Sequence, residues 1–351
     1  MPKRLRNAWP SIACFSNLAR AHRLARRGKL ARPEVARFHL QWELEVARLE
    51  EELACLHWRP GRFRTFRIYE GKPRIISAVP YRDRVVHQAV MNVLAPHLER
   101  SLVFDTYACR EGKGTEAARG RAQQYLRRHR YFLHLDVVKY FPSIPQARLK
   151  AMLGRHVGDT ELLEVLGRIV DHDGAAMPGD LVEMAERRGL PIGSLTSQWF
   201  ANLYLSPLDH LIKERLRAPG YVRYMDDMVL FGDCKGQLWG WERAVRAFAA
   251  EQLGLELHGA PRLAPCVEGL SFLGMRLFPG YRRLLPPSGY RFRRRMKGAM
   301  RALRTGRTTR ARAVCQLNGW LGHARLANTV ALRRAIFKDL RQGRPPGVRT
   351  A

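Results

Sequence analysis

The chain has 351 residues, 46% of them apolar, and carries 62 Lys and Arg against 31 Asp and Glu, a net charge of +31 at neutral pH. A chain this long and apolar can bury a large core and divide into two or three lobes, which excludes a disordered tail. The charge calls for a polyanionic partner, nucleic acid first, and no apolar run approaches the ~18–20 residues that span a bilayer.

The opening stretch MPKRLRNAWPSIACF has no long apolar segment before a small-residue cleavage site, so it does not read as a signal peptide, and a cytoplasmic location is expected. Residues 1–30 hold Lys3, Arg4, Arg6, Arg20, Arg23, Arg26, Arg27 and Lys29 without one acid, which reads as a basic arm for phosphates. Pro33 followed by Phe38, Trp42, Leu49, Leu53 and Leu56 predicts one amphipathic helix closed by HWRPGR. FRTFRIYEGKPRIISAVP (63–80) alternates on both sides of Glu70-Gly71 and predicts a β-hairpin, with a helix from Arg82 to about Leu98 after it. YFLHLDVVKYF (131–141) predicts a strand ending before Pro142, and YVRYMDDMVLF (221–231) a second that pairs with it. Phe292, Met296, Met300 and Leu303, then Val314, Leu317, Trp320 and Leu321, then Leu332, Ile336 and Leu340 predict three helices of a small C-terminal lobe. From Tyr281 onward the only acid is Asp339, and RFRRRMKG (291–298) is the densest basic cluster. Its Arg293, Arg294, Arg295 and Lys297 are candidate phosphate contacts, against the plainer reading of a solvated helix face. The cysteines Cys14, Cys55, Cys109, Cys234, Cys266 and Cys315 are scattered, with no C-x-x-C pair, and read as ordinary thiols.

Two acids interrupt the second strand. Burying Asp226 and Asp227 unpaired in an apolar strand would cost several kcal/mol, so they need Lys or Arg partners or a place at a turn. If Met225 to Asp227 form a hairpin turn, both acids project from its tip, and Asp136, central in 131–141, is the third carboxylate. Three oxygen ligands with open positions suit Mg²⁺, with Mn²⁺ as a substitute. Two such ions would clamp an in-line phosphoryl transfer, one at the attacking 3′-hydroxyl and one at the departing pyrophosphate.

YMDD between apolar runs resembles the catalytic hairpin of reverse transcriptases, and LDVVKYFPSI (135–144) resembles the strand that supplies their first metal ligand. GKPRIISAVPYRDRVVHQAV (71–90), TYACREGKGTEAA (106–118), GLPIGSLTSQWFANLYLSPLD (189–209), GLSFLGMRLFP (269–279) and NGWLGHARLANT (318–329) are similar to bacterial members in the same order. The resemblance implies an α+β right-hand polymerase with an antiparallel palm sheet. It implies a basic N-terminal arm and helix over 1–62, fingers and palm over 63–280, and a helical basic thumb over 281–351. It also implies RNA-templated DNA synthesis from deoxynucleotides, with template RNA and a primer or cDNA as partners and no membrane. By the same resemblance, Asp136, Asp226 and Asp227 are the catalytic and metal-binding acids. Lys72 and Arg74 hold the incoming triphosphate, Phe141 is the aromatic gate against a ribose 2′-hydroxyl, and Arg110 and Lys113 touch the template or its backbone. Simpler readings remain for the last five: a solvated hairpin tip, a core aromatic and a plain loop.

LPIGSLTSQ narrows the resemblance. Most reverse transcriptases carry Gln before the glycine and Ser-Pro after it, whereas this chain has Ile192 before Gly193, then Ser197-Gln198, as in diversity-generating retroelement enzymes. That subgroup copies a template-repeat RNA with frequent errors opposite adenine, and a small basic accessory protein usually accompanies it. Ile192, Gly193 and Gln198 then line the nucleotide site, Ile192 offering shape where Gln offers hydrogen bonds; the alternative is a core residue beside a turn. One departure stands out. Relatives carry a Lys before FLG that assists pyrophosphate departure, but HGAPRL (258–263) places Ala260 or Pro261 there, and Arg262 is a poor proton donor. A group II intron-like, retron-like or phage-defence lineage, or an RNA-binding scaffold with a vestigial core, stays open.

Overall fold

The computed structural model describes residues 3–70, 72–172 and 187–342, without the side chains of 69, 70, 72–75 and 339–342. The N-terminal stretch is a helical layer: α1 (Trp9–Ala13), α2 (Phe15–Ala25), α3 (Pro33–Leu40) and α4 (Trp42–Ala54). Residues 9–25, expected as part of an arm, bury Ile12, Leu18, Ala21 and Ala25 in the main core while Arg20, Arg23 and Arg27 keep access to solvent. The single helix expected from Pro33 breaks at Gln41, whose φ is −129°. The break lets α3 pack on α5 while α4 packs on α1 and α2, which one straight rod cannot do.

Strands β1 (Arg64–Glu70) and β2 (Lys72–Ala78) form the expected hairpin, with Glu70 opposite Lys72, and α5 (Tyr81–Glu99) follows. Next come α6 (Thr115–Arg128), β3 (Tyr131–Leu135), α7 (Tyr140–Ser143), α8 (Gln146–His156), α9 (Thr160–Asp171), α10 (Leu195–Tyr204) and α11 (Ser206–His210). A π turn (Leu211–Arg215) leads to β4 (Gly220–Tyr224), β5 (Asp227–Gly232), α12 (Lys235–Leu253) and β6 (Arg262–Pro265). The central sheet runs β4-β5-β3-β6, antiparallel throughout.

Both faces of this sheet are covered, which is why apolar residues follow one another without alternation, most plainly over Met228–Phe231 of β5. Leu133, Leu135, Tyr221, Met228 and Leu230 join the main core with α10 and α12. Phe132, Val222, Val229 and Phe231 face α6 and a second antiparallel sheet, β7 (Leu270–Phe272), β8 (Met275–Leu277) and β9 (Arg282–Leu284). The chain ends in α13 (Pro286–Arg304), α14 (Arg310–Ala324) and α15 (Val330–Gln342), which close on Phe292, Met296 and Ile336 with Trp320 stacked on Phe292 at 3.8 Å. No helix among the described residues is long and apolar enough to cross a membrane.

The expected strand 131–141 stops at Leu135, so Asp136 lies just past its end and not at its centre. There the carbonyl of Asp136 accepts from the amide of His258, and the Val138 amide donates to the Glu256 carbonyl. Lys139 then takes φ +45° and the chain turns into α7. Val137 and Tyr140 are buried, which gave the run its strand-like look.

Candidate active site

β4 and β5 pair with Tyr224 opposite Asp227, leaving Met225 and Asp226 as the turn. Met225 has φ +55°, a left-handed value that hairpin turns usually reserve for glycine or asparagine. β5 lies beside β3 with Leu135 opposite Met228, so one step further along the register brings Asp136 level with Asp227. The proximity shows in the charge: burial, and then the Asp227 carboxylate, push the Asp136 carboxyl above the usual range, while His258, His134 and the Val137 amide pull the other way. His134, on the same face of β3 two residues earlier, makes a 2.5 Å hydrogen bond through Nε2 to Asp227 Oδ1. Asp226 sits near enough to Tyr140 to help raise its hydroxyl pKa, an effect due first to burial.

In kind, these hard carboxylate oxygens fit a divalent cation, and the mutual repulsion of Asp136 and Asp227 is what such an ion relieves. Among the described residues, however, no three His, Cys, Asp or Glu side chains are already gathered tightly enough to hold one. The strand register therefore brings two of the three acids together and puts the third on the adjoining turn.

Of the nucleotide-site candidates, Ile192 is half-buried, and its carbonyl accepts from the Ser77 amide of β2 at 3.0 Å. Gly193 has φ +124°, and a Cβ there would stand 3.2 Å from Ile76 and 3.3 Å from the Ser77 carbonyl. Both conformation and closeness require glycine. Ser194 caps α10 by accepting from the Ser197 amide, and Gln198, one turn in, accepts from Cys109 Sγ at 3.3 Å. Phe141 is half-buried against the main core, and its carbonyl accepts from the Leu190 amide. Lys72 and Arg74 lie on β2, but their side chains fall outside those described.

Arg110 is turned inward. Its side chain is 6% exposed, pairs with Glu99 at the end of α5 at 2.7 Å and donates to Val103 and Thr106, so its cation is committed to these partners. Lys113 donates to the Phe104 carbonyl and lies over the Phe104 ring at 3.4 Å. On α13, Arg294 and Arg295 are exposed, Arg293 and Lys297 half-buried. Arg262 opens β6 opposite His134, its guanidinium 5.8 Å from the Phe132 ring.

The sequence did not reveal a cavity of about 380 Å³ where β2 and the Gly193 turn meet the N-terminal helices, lined by Lys29, Arg32, Arg84, Ile76, Gly193 and Gln198. Burial, then Arg84 and Arg32, lower the Lys29 pKa. Arg84 sits within α5 and Arg32 at a helix boundary, so nothing in their spacing announces that they converge.

The reverse transcriptase (RNA-dependent DNA polymerase) family matches residues 64–276 of the chain. No curated protein sequence matches it. Among solved structures it is similar to telomerase from Candida albicans in complex with a TWJ fragment of telomeric RNA, at 11% identity over 65% of this chain and 46% of that one, TM-score 0.46. It is also similar to apo telomerase from Candida tropicalis (12%, 63% and 48%, TM-score 0.47) and to the same enzyme truncated from its C-terminal domain (13%, 64% and 55%, TM-score 0.47). The chain thus spans about half the length of these telomerases. With its antiparallel sheet, its acid-bearing hairpin and a family match over more than half its length, the chain belongs to the reverse transcriptase family of RNA-dependent DNA polymerases.

Proposed function

We propose that this chain extends a primer with deoxynucleotides on an RNA template, and that it does so as the polymerase of a diversity-generating retroelement. The register that sets Asp136 beside Asp227, with Asp226 on the adjoining turn, carries the polymerase reading. Asp136, Asp226 and Asp227 would hold the divalent ions, Mg²⁺ first, which would make the primer 3′-hydroxyl more acidic and stabilise charge on the transferring phosphate. The three carboxylates supply the negative field that draws such cations in, and His134 fixes the rotamer of Asp227.

In this reading the β1–β2 hairpin is the fingers, and Lys72 and Arg74 hold the triphosphate. Phe141 closes the sugar pocket against a 2′-hydroxyl, and the Gly193 turn supports the nascent pair. The central sheet is the palm and α13–α15 the thumb, whose Arg293, Arg294, Arg295 and Lys297 follow the duplex backbone with Lys113 nearer the template. The cations Lys29, Arg32 and Arg84 suit phosphates of the incoming template strand. The retroelement assignment rests on Ile192 and Ser197-Gln198, and it brings a small basic accessory protein and adenine-directed errors with it.

The test is extension of a DNA primer annealed to RNA, with Mg²⁺ and either deoxy- or ribonucleotides. Deoxynucleotide-dependent extension on RNA is expected; extension with ribonucleotides alone, or none with either, overturns the reading. Sequencing the cDNA by template base then tests the subgroup, which predicts an excess of errors at adenine.

A further inference from the structure

Beneath the catalytic turn lies a charged cluster with no exposure to solvent. Arg223 of β4 and Asp209 of α11 are both fully buried, their side chains at 0%. The guanidinium grips the carboxylate with two bonds, Nε to Oδ1 at 2.7 Å and Nη2 to Oδ2 at 2.6 Å. Its remaining hydrogens go to Asn202 Oδ1 at 2.9 Å, the Asn202 carbonyl at 3.1 Å and the Met225 carbonyl at 3.0 Å. All five donors of the side chain are used. Tyr221 donates to Asp209 Oδ1 at 2.6 Å, and Asn202 donates to the Ala108 carbonyl. The Arg223 main chain is held as well, its amide by the Asp105 carbonyl and its own carbonyl by the Tyr107 amide.

A buried ion pair is a weak stabiliser, because apolar residues of similar volume usually serve the fold as well or better. The pair therefore needs a purpose that apolar packing cannot supply. One of its five bonds goes to a residue in an unfavourable conformation: Met225, with φ +55° and no glycine to relax it, next to Asp226. A backbone state of this kind persists only where its surroundings over-determine it.

We infer that Arg223, seated on Asp209 and Asn202, is a positioning residue that locks the Met225 carbonyl and so fixes the direction in which Asp226 leaves the turn. The inference rests on the polymerase reading above. The guanidinium is rigid and planar, so the helices α10 and α11 become the reference frame for the catalytic hairpin. A lysine cannot replace it, since one ammonium cannot span Asp209, Asn202 and Met225 in fixed directions.

The experiment uses the full chain with the pair replaced by apolar residues, Arg223→Leu with Asp209→Leu, read in three ways. The first is the thermal melt. The second is primer extension, with kcat separated from the KM for template-primer. The third is the ¹³C-methyl signal of Met225 in methyl-labelled protein, assigned by its loss in Met225→Leu. A folded double variant should lose at least 100-fold in kcat with KM for template-primer within threefold, and its Met225 signal should broaden or split while other methionine signals hold. Wild-type kcat together with an unchanged Met225 signal overturns the inference. Should the double variant fail to fold, Arg223→Lys, which keeps a cation on Asp209, is judged by the same signal and the same kcat. A wild-type chain that extends no primer would instead sink the polymerase reading, while the Met225 signal would still report whether Arg223 holds the turn.

Discussion

The amide of Ser77 donates to the carbonyl of Ile192 at 3.0 Å, which joins the last part of the β1–β2 hairpin to the Gly193 turn. The two segments are distant in sequence, and Gly193 lets them touch because no Cβ intervenes against Ile76 and Ser77. Ile192 is thus anchored by its main chain while its side chain is only half-buried.

A substitution at Ile192 should therefore change chemistry without moving the turn. An apolar group checks a base pair by shape alone, whereas hydrogen-bonding groups discriminate by a few kcal/mol. Ile192→Gln should lower misincorporation, most of all opposite template adenine, as read from cDNA copied from one RNA by both proteins. Wild-type errors spread evenly over the four template bases would remove the retroelement assignment. An adenine bias that Ile192→Gln leaves untouched would keep the assignment and discard this role for Ile192.

Much of this arrangement was legible in the sequence because it depends on local pattern. The hairpin at 63–80 follows from alternation and the three C-terminal helices from helical spacing, while the expected pairing of 131–141 with 221–231, realised between 131–135 and 228–232, rested on two apolar runs, each interrupted by acid. The extent of β3 was not legible, since buried Val137 and Tyr140 look like strand residues until His258 and Glu256 are seen drawing the chain aside. Nor was the fate of Arg110, whose partners Glu99 and Thr106 are fixed by tertiary packing. The Arg223–Asp209 pair was hidden for the same reason: each reads alone as a surface charge, and only the fold buries both.

The basic face of α13 should govern salt dependence. Phe292 and Met296 anchor the helix in the core of the C-terminal lobe, so changing Arg293, Arg294, Arg295 and Lys297 together to Gln should leave it docked. For every phosphate that these cations neutralise, the variant should flatten the plot of log affinity against log salt by roughly 0.7 to 0.9 of a unit. Binding of an RNA–DNA duplex measured across a salt series checks this, and an unchanged slope would mean that these side chains neutralise no phosphate.

The N-terminal layer should make the fold sensitive to mild acid. His22 is buried against Tyr81 and His39, and its pKa is lowered to about 4 by burial first, then by His39 and Arg26, with Glu43 opposing. His87, bonded to Thr196, is lowered to about 3 by burial and then His172. Both are neutral in the folded chain, while the unfolded chain takes up their protons near pH 6.5. Their contribution is therefore fully present above pH 6.5 and is lost as pH falls from there toward about 4 for His22 and about 3 for His87, on the order of several kcal/mol in all. Urea unfolding at pH 7 and pH 5 should show the loss, and His22→Gln should shrink the difference; equal stability at the two pH values would contradict this.

The acids themselves offer the most direct test. Primer extension on RNA with Mg²⁺ should fall more than 100-fold in Asp136→Asn and in Asp226→Asn, as expected if both carboxylates act on the reacting phosphate. The melting temperature of Asp136→Asn should hold or rise, because the change removes a partly desolvated carboxylate that Asp227 repels. If either variant extends the primer within about tenfold of wild type, or loses activity only in step with its folding, these carboxylates are not the catalytic centre.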